Sequence, residues 1–176
     1  ERRAILALGS LYSFRMLGLF MVLPVLGIYA VDMPGATPEK LGLALGAYGL
    51  TQACLQLPLG WLSDRIGRLP IVIVGLCLFV AGSLVAAAAE TINGRIAGRF
   101  LQGAGAIAAA LTALAADSTR ESQRTKAMAV IGASVGLSFV MAIVLGPVIA
   151  ASLGLQGVFL VTAALGAVGL VIVLTV

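Results

Sequence analysis

The stretch Gly60-Trp61-Leu62-Ser63-Asp64-Arg65-Ile66-Gly67-Arg68-Leu69-Pro70 places three charges within five residues between two long apolar runs. Neither Leu41 to Leu62 before it nor Pro70 to Ala89 after it holds an Asp, Glu, Lys or Arg. A helix of about 20 apolar residues crosses the hydrocarbon core of a bilayer, whereas a membrane barrel strand alternates over about 10. These runs do not alternate, so the charged stretch reads as a tight turn between two membrane-crossing helices. Gly67 suits a turn with positive φ, Pro70 the first turn of the following helix, and Gly60 a close approach of two helices.

The same pattern continues in both directions. Six apolar segments emerge: Ala4 to Tyr29, Leu41 to Leu62, Pro70 to Ala89, Ile92 to Ala116, Thr125 to Ala151, and Leu155 to Val176. Local signals mark their ends. Thr37-Pro38-Glu39 offers a cap, a first-turn proline and an acid, and Ser118-Thr119-Arg120-Glu121 reads as a capping box. The first segment exceeds a signal-peptide core, carries Arg15 at its middle and runs on into further segments, so it is not read as a cleaved leader. Of the 176 residues 61% are apolar and 10% charged, against about 25% charged in soluble domains. Lipid is therefore the first partner, and an ordinary soluble enzyme is excluded. The chain has no His, which removes imidazole triads and imidazole metal sites. Cys54 and Cys77 lie inside apolar runs and read as small hydrophobes. No cofactor or metal is implied. The net charge of +4 does not point to nucleic acid, because Lys and Arg are scattered in short loops.

Those basic residues set an orientation instead. Arg2, Arg3, Arg65, Arg68, Arg120, Arg124 and Lys126 fall on one side, and Lys40 and Arg95 on the other. The positive-inside rule puts the first group, and with it both termini, in the cytoplasm. The chain opens at Glu1 and closes on Val171 to Val176 without a basic anchor, so both ends read as cut.

The turn from Gly60 to Pro70 resembles the GxLxDRxGRxP signature loop of the major facilitator superfamily. Arg99-Phe100-Leu101-Gln102-Gly103-Ala104-Gly105 is similar to the RxxQGxG element of its drug:proton antiporters. The wording of the first, second and fourth segments looks closest to the YajR-type drug efflux proteins. The resemblance covers residues 1–176 as an all-α, six-transmembrane-helix bundle, the amino-terminal half of a twelve-helix transporter. It implies 3+3 inverted repeats over 1–89 and 90–176, an architecture known for this superfamily. Short internal matches agree with it: Arg15-Met16-Leu17-Gly18 against Arg99 to Gly103, and Pro58 with Gly60 against Pro147 with Gly146. The antiporter pattern GxxxxxxxxGxxxGPxxGG, set on Gly146-Pro147, puts Ala133, Ala142, Ala150 and Ala151 where glycines are expected. Small size is kept there and glycine is not, which weakens antiport relative to symport.

Specific residues carry the expected function. Asp64 sits at the wrong end of its helix dipole and needs a partner. Arg65 and Arg68 are near, and the resemblance groups Asp64, Arg65, Arg68 and Asp117, with Gly60 and Gly67, in a cytoplasmic gate. Arg99 and Asp117 are 18 residues apart, five helical turns, and so share one face of the fourth helix. Arg15 and Arg99 lie within spans, where a charge requires a polar cavity or a partner. Tyr48, Gln52 and Gln56 follow at four-residue steps as a polar stripe, with Gln102 joining them as a cavity or coupling residue. Gly103, Gly105, Gly146 and Pro147 read as packing positions. No acid lies deep in a span, so a proton-coupling carboxylate is either Asp32, at a cavity mouth, or outside this chain. The expected function is proton-linked efflux of small amphipathic compounds by alternating access, with a second six-helix half and protons as partners. A uniporter or symporter of the same fold is one alternative, and a homodimer of six-helix chains another. A membrane receptor or enzyme is a third, for which no nucleophile–base pair or metal cluster speaks.

Overall fold

The computed structural model describes the backbone of residues 2–175 and the side chains from Ile5 onward. Glu1, Val176 and the side chains of Arg2 and Arg3, two of the basic residues counted above, lie outside the described residues. Every regular element is helical: α1 (Arg2–Tyr29), α2 (Pro38–Ile66), α3 (Arg68–Ala88), α4 (Ile92–Ala104), α5 (Ala108–Asp117), a 3-10 turn (Glu121–Gln123) and α6 (Arg124–Thr175). Four segments are long and apolar enough to cross a membrane: Ile5–Tyr29, Arg68–Ala88, Ile92–Asp117 and Glu121–Thr175. The segment α2 falls outside that set. Its interior carries Gln52 and Gln56, and its ends carry Glu39, Lys40, Asp64 and Arg65.

The start of α2 follows its local chemistry. Thr37 caps it, accepting from the Lys40 N–H at 3.3 Å, and Pro38 is its first residue. Hydrogen bonds from its own backbone and from Thr37 hold the exposed Glu39 carboxyl below the usual carboxylate range. The turn between α2 and α3 is a single residue, Gly67, at φ 101°. That φ lies where L side chains are strained, so the glycine is required by geometry.

Two expectations about helix continuity need correcting. The fourth segment is broken: α4 ends at Ala104, and Gly105 to Ile107 are non-helical before α5 begins. Arg99 and Asp117 therefore do not sit on one continuous helical face. The physical reason is tertiary. A Cβ on Gly105 would meet the Gly75 backbone of α3, and Arg15 donates to the Gly105 carbonyl at 3.2 Å, so contacts from two other helices hold the unwound turn. The capping box at Ser118 also does not form. Ser118 instead ends α5, and the 3-10 turn follows Arg120 without a side-chain cap.

The 52-residue α6 reverses at Gly154, where φ is 66° and ψ −173°. Contacts with α1 fix the direction of its two arms. Gly9 lies beside Val130 and Ser134, and Gly146 beside Met21, so the first arm runs parallel to α1. Gly18 meets Thr162 and Gly169 meets Leu11, so the second arm runs back along it. The boundary placed between Ala151 and Leu155 from sequence is this reversal.

Close helix approach relies on small residues, as membrane packing generally does. On the α3–α4 seam a Cβ at Gly98 would lie 2.6 Å from both the N and Cβ of Ala86, and Gly82 faces the Gln102 backbone. Gly103 lies against the Tyr48 carbonyl of α2, and a Cβ added at Gly146 would come within 2.7 Å of the Met21 carbonyl. Ala142 and Ala150, in line with Gly146, are buried, whereas Ala133, Ala151 and Pro147 are exposed. Cys54 and Cys77 are free thiols on exposed positions.

Candidate functional site

The break between α4 and α5 lies beside a buried polar cluster. Arg15 from α1 is 0% exposed and Arg99 from α4 is 1% exposed. Both reach Tyr48 of α2: Arg15 Nη2 donates to the tyrosine oxygen at 2.8 Å, and the Arg99 guanidinium carbon stands 5.1 Å from the ring centroid. Arg99 also donates through Nη1 to Gln102 Oε1 at 2.9 Å and through Nε to the Ala44 carbonyl at 3.3 Å. Gln102 Nε2 donates to Ser83 Oγ at 2.7 Å, and Ser83 donates to the Phe79 carbonyl. The Phe79 ring lies 5.8 Å from the Arg15 guanidinium. Four of the residues expected at a cavity, Arg15, Tyr48, Arg99 and Gln102, are thus brought together inside the helix packing.

Burying a guanidinium at membrane depth costs from about 2.5 to over 10 kcal/mol. Hydrogen bonds from charged donors return about 1.5–3 kcal/mol each, and a desolvated aromatic face about 2. The two sides are comparable for Arg99. They are less so for Arg15, whose Nε and Nη1 have no hydrogen-bond partner; Nη2 of Arg99 and Oε1 of Gln52 share that condition. No carboxylate pairs with either arginine among the described residues. Gln52 and Gln56 are half-buried further along α2, and Asp32 is exposed in the loop before α2, so the cluster does not include it.

A second cluster forms at the charged turn. Arg68 pairs with Asp64 through Nη1 and with Asp117 through Nε at 3.3 Å, while Nη1 also donates to Ser63 Oγ at 2.8 Å. One guanidinium thereby ties the end of α2, the start of α3 and the end of α5. Asp64 and Asp117 both sit at helix carboxyl ends, where the dipole disfavours them, and Arg68 supplies the compensation that sequence reasoning required. Arg65 turns away and stacks on Trp61, 4.0 Å from the ring centroid. Gly60 faces Ala109 of α5, but a Cβ there would make only an ordinary contact at 3.4 Å, so this packing does not require the glycine expected from sequence.

Arg95, counted from sequence as an outer-loop charge, is 6% exposed. It donates to the Ala86 carbonyl near the end of α3 and lies 5.3 Å from the Phe159 ring. Ser63, Ser83 and Phe79 also escaped sequence reasoning. A lone serine in an apolar run, as Ser83 is, was the available signal.

A family profile described as Major Facilitator Superfamily matches residues 8–176. The chain belongs to the Major Facilitator Superfamily. It is 55% identical over 170 residues to the inner membrane transport protein YajR of Escherichia coli K12, covering 97% of this chain and 37% of YajR. Against the multidrug resistance protein MdtL of Klebsiella pneumoniae it is 33% identical over 147 residues, covering 79% of this chain and 38% of MdtL. The fold matches a solved peptide transporter of the POT type with a TM-score of 0.84 at 18% identity, over 98% of this chain and 37% of that one. The chain thus spans less than half the length of these superfamily relatives. Members of the superfamily are transporters rather than enzymes.

Proposed function

We propose that the chain forms the amino-terminal six-helix part of a secondary transporter that exports small amphipathic compounds in exchange for protons. In this reading α1, α2, α3, the α4–α5 pair and the two arms of α6 are six crossings. Residues 1–89 and 90–176 are inverted repeats, and a second six-helix half completes a central pathway in a bacterial inner membrane with both termini cytoplasmic. The observation that carries it is the Arg15–Tyr48–Arg99–Gln102 cluster, a set of linked charges at membrane depth with no catalytic group beside it. Such charges in a transporter mark a substrate or ion pathway. The Asp64–Arg68–Asp117 clasp is the cytoplasmic gate in the same scheme, closed when the pathway faces outward. Names of relatives support export: MdtL is named for multidrug resistance and YajR for inner membrane transport.

Arg99 stays protonated and favours the ionised form of a carboxylate that approaches it. It tunes the coupling acid rather than carrying the proton. The experiment compares transport against external pH for wild type, Arg99→Lys and Arg99→Ala at matched expression. A lysine has fewer donors and no planar fork, so Arg99→Lys shifts the pH optimum and lowers the rate. A Lys variant with the wild-type profile would reduce Arg99 to a structural charge and remove the case for proton coupling.

A further inference from the structure

The donor and acceptor balance of the buried cluster decides what chemistry it can receive. Arg15 and Arg99 bring two positive charges, and Arg15 Nε, Arg15 Nη1 and Arg99 Nη2 have no acceptor. The Tyr48 hydroxyl accepts from Arg15, which leaves its own hydrogen to donate. The carbonyls of Ala44 and Gly105 and the Gln102 side-chain oxygen are already engaged by the two arginines. Gln52 Oε1, also without a partner, is the one further acceptor of this region among the buried side-chain atoms without a bond. Of the acids among the described residues, Asp32, Glu39, Glu90 and Glu121 are exposed, and Asp64 and Asp117 are committed to Arg68. A cation would add to the charge, and a neutral donor would add to the excess of donors. A carboxylate, sulfonate or phosphodiester monoanion accepts only, and matches a guanidinium fork in geometry.

We infer that the Arg15–Tyr48–Arg99 cluster receives a monovalent oxyanion borne by the transported compound, so that the cargo is an amphipathic organic anion. This rests on the transport reading above and specifies its substrate class. The half-buried Gln52 and Gln56 continue the polar stripe from Tyr48 along α2 and give the oxyanion a hydrogen-bonding approach. Both arginines are sealed in the packing described here, so entry accompanies a parting of the helices around the α4–α5 break.

The test uses the complete protein in lipid nanodiscs, without any proton gradient, and four probes sharing one alkyl chain: hexanoate, hexanesulfonate, hexanol and hexylammonium. Affinity is read from the ligand-dependent rise in unfolding temperature at pH 7. Hexanoate and hexanesulfonate should bind about tenfold or more tightly than hexanol or hexylammonium. Arg15→Gln and Arg99→Gln should each weaken the anions about tenfold while leaving hexanol unchanged. Tyr48→Phe keeps the ring and the fold and removes one donor, so it should weaken the anions severalfold should either arginine variant fail to fold. Equal binding of hexanoate and hexanol, or preference for hexylammonium, overturns the inference. So does the absence of anion binding, the result expected if a carboxylate side chain elsewhere in the complete protein occupies the guanidiniums. Because binding is measured at equilibrium, a failure of proton coupling leaves this result unaffected, and the two readings fail separately.

Discussion

Adding one methyl group at Gly98 should separate α3 from α4. The new Cβ would stand 2.6 Å from the N and Cβ of Ala86, where ordinary contacts begin at 3.4 Å, so the helices must move apart by about 0.8 Å. Backbone cannot swing aside as a side-chain tip can. The same seam carries the Gln102–Ser83 hydrogen bond at 2.7 Å, which a shift of that size stretches to the limit of bonding. Overpacking costs about 1–3 kcal/mol, and loss of a buried hydrogen bond about 1–3 more. Alanine returns about 1 kcal/mol through its better helix propensity. Gly98→Ala should therefore destabilise by about 1–5 kcal/mol, measured by reversible unfolding in mixed micelles. Gly46→Ala is the control, because nothing lies within 4 Å of a Cβ there; it should be neutral or slightly stabilising. A Gly98→Ala protein as stable as wild type would show that the α3–α4 packing is looser than described, and with it the positioning of Arg99.

Further outcomes can be checked independently. Asp64→Asn and Asp117→Asn each remove one arm of an exposed clasp, with the acid side chains 58% and 59% exposed, so stability should change by less than about 1 kcal/mol. Transport should nonetheless fall and a cysteine facing the cytoplasmic pathway should become more reactive; unchanged transport and reactivity would leave Asp64 and Asp117 as topogenic charges only. Thr37→Ala removes the α2 cap and should cost about 0.5–2 kcal/mol in thermal unfolding. The Glu39 pKa, lowered by its own backbone N–H and then by Thr37, should rise in that variant. A depressed folded pKa stabilises above the unfolded value and loses that contribution as pH falls, so the wild type should lose more stability than Thr37→Ala on acidification below the ordinary carboxylate pKa. In a background lacking Cys54 and Cys77, a cysteine at Ala36 should react with an impermeant thiol reagent in intact cells and one at Ser122 should not; the reverse labelling would invert the orientation.

Much of the framework was legible because its signals are local. The Thr37 cap, the single-glycine turn at Gly67 and the boundary at Gly154 each depend on residues within a few positions. Burial of Arg15 and Arg99 followed from their depth in apolar runs, and the meeting of Asp64, Arg68 and Asp117 from the superfamily resemblance. The break after Ala104 was not legible. Gly103-Ala104-Gly105-Ala106 has no proline, and the unwinding depends on Gly75 and Arg15, distant in sequence. Arg95 failed for the same reason: its acceptor on Ala86 and its ring on Phe159 come from other helices. The Ser118 pattern matched a helix start, but Ser118 is spent ending α5, its N–H bonded to the Leu114 carbonyl at 3.0 Å.

The reversal at Gly154 bears on how the protein enters its membrane. A single residue joins the two arms of α6, and from Ala127 to Thr175 there is no Asp, Glu, Lys or Arg. No charged loop separates the arms. In the six-crossing arrangement proposed above they would enter as one hairpin with an uncharged turn. In the proposed orientation, a hairpin with no charge at its tip would take its direction from Arg120, Arg124 and Lys126 at its base. Neutralising those three would leave the final third of the chain without a directional signal of its own.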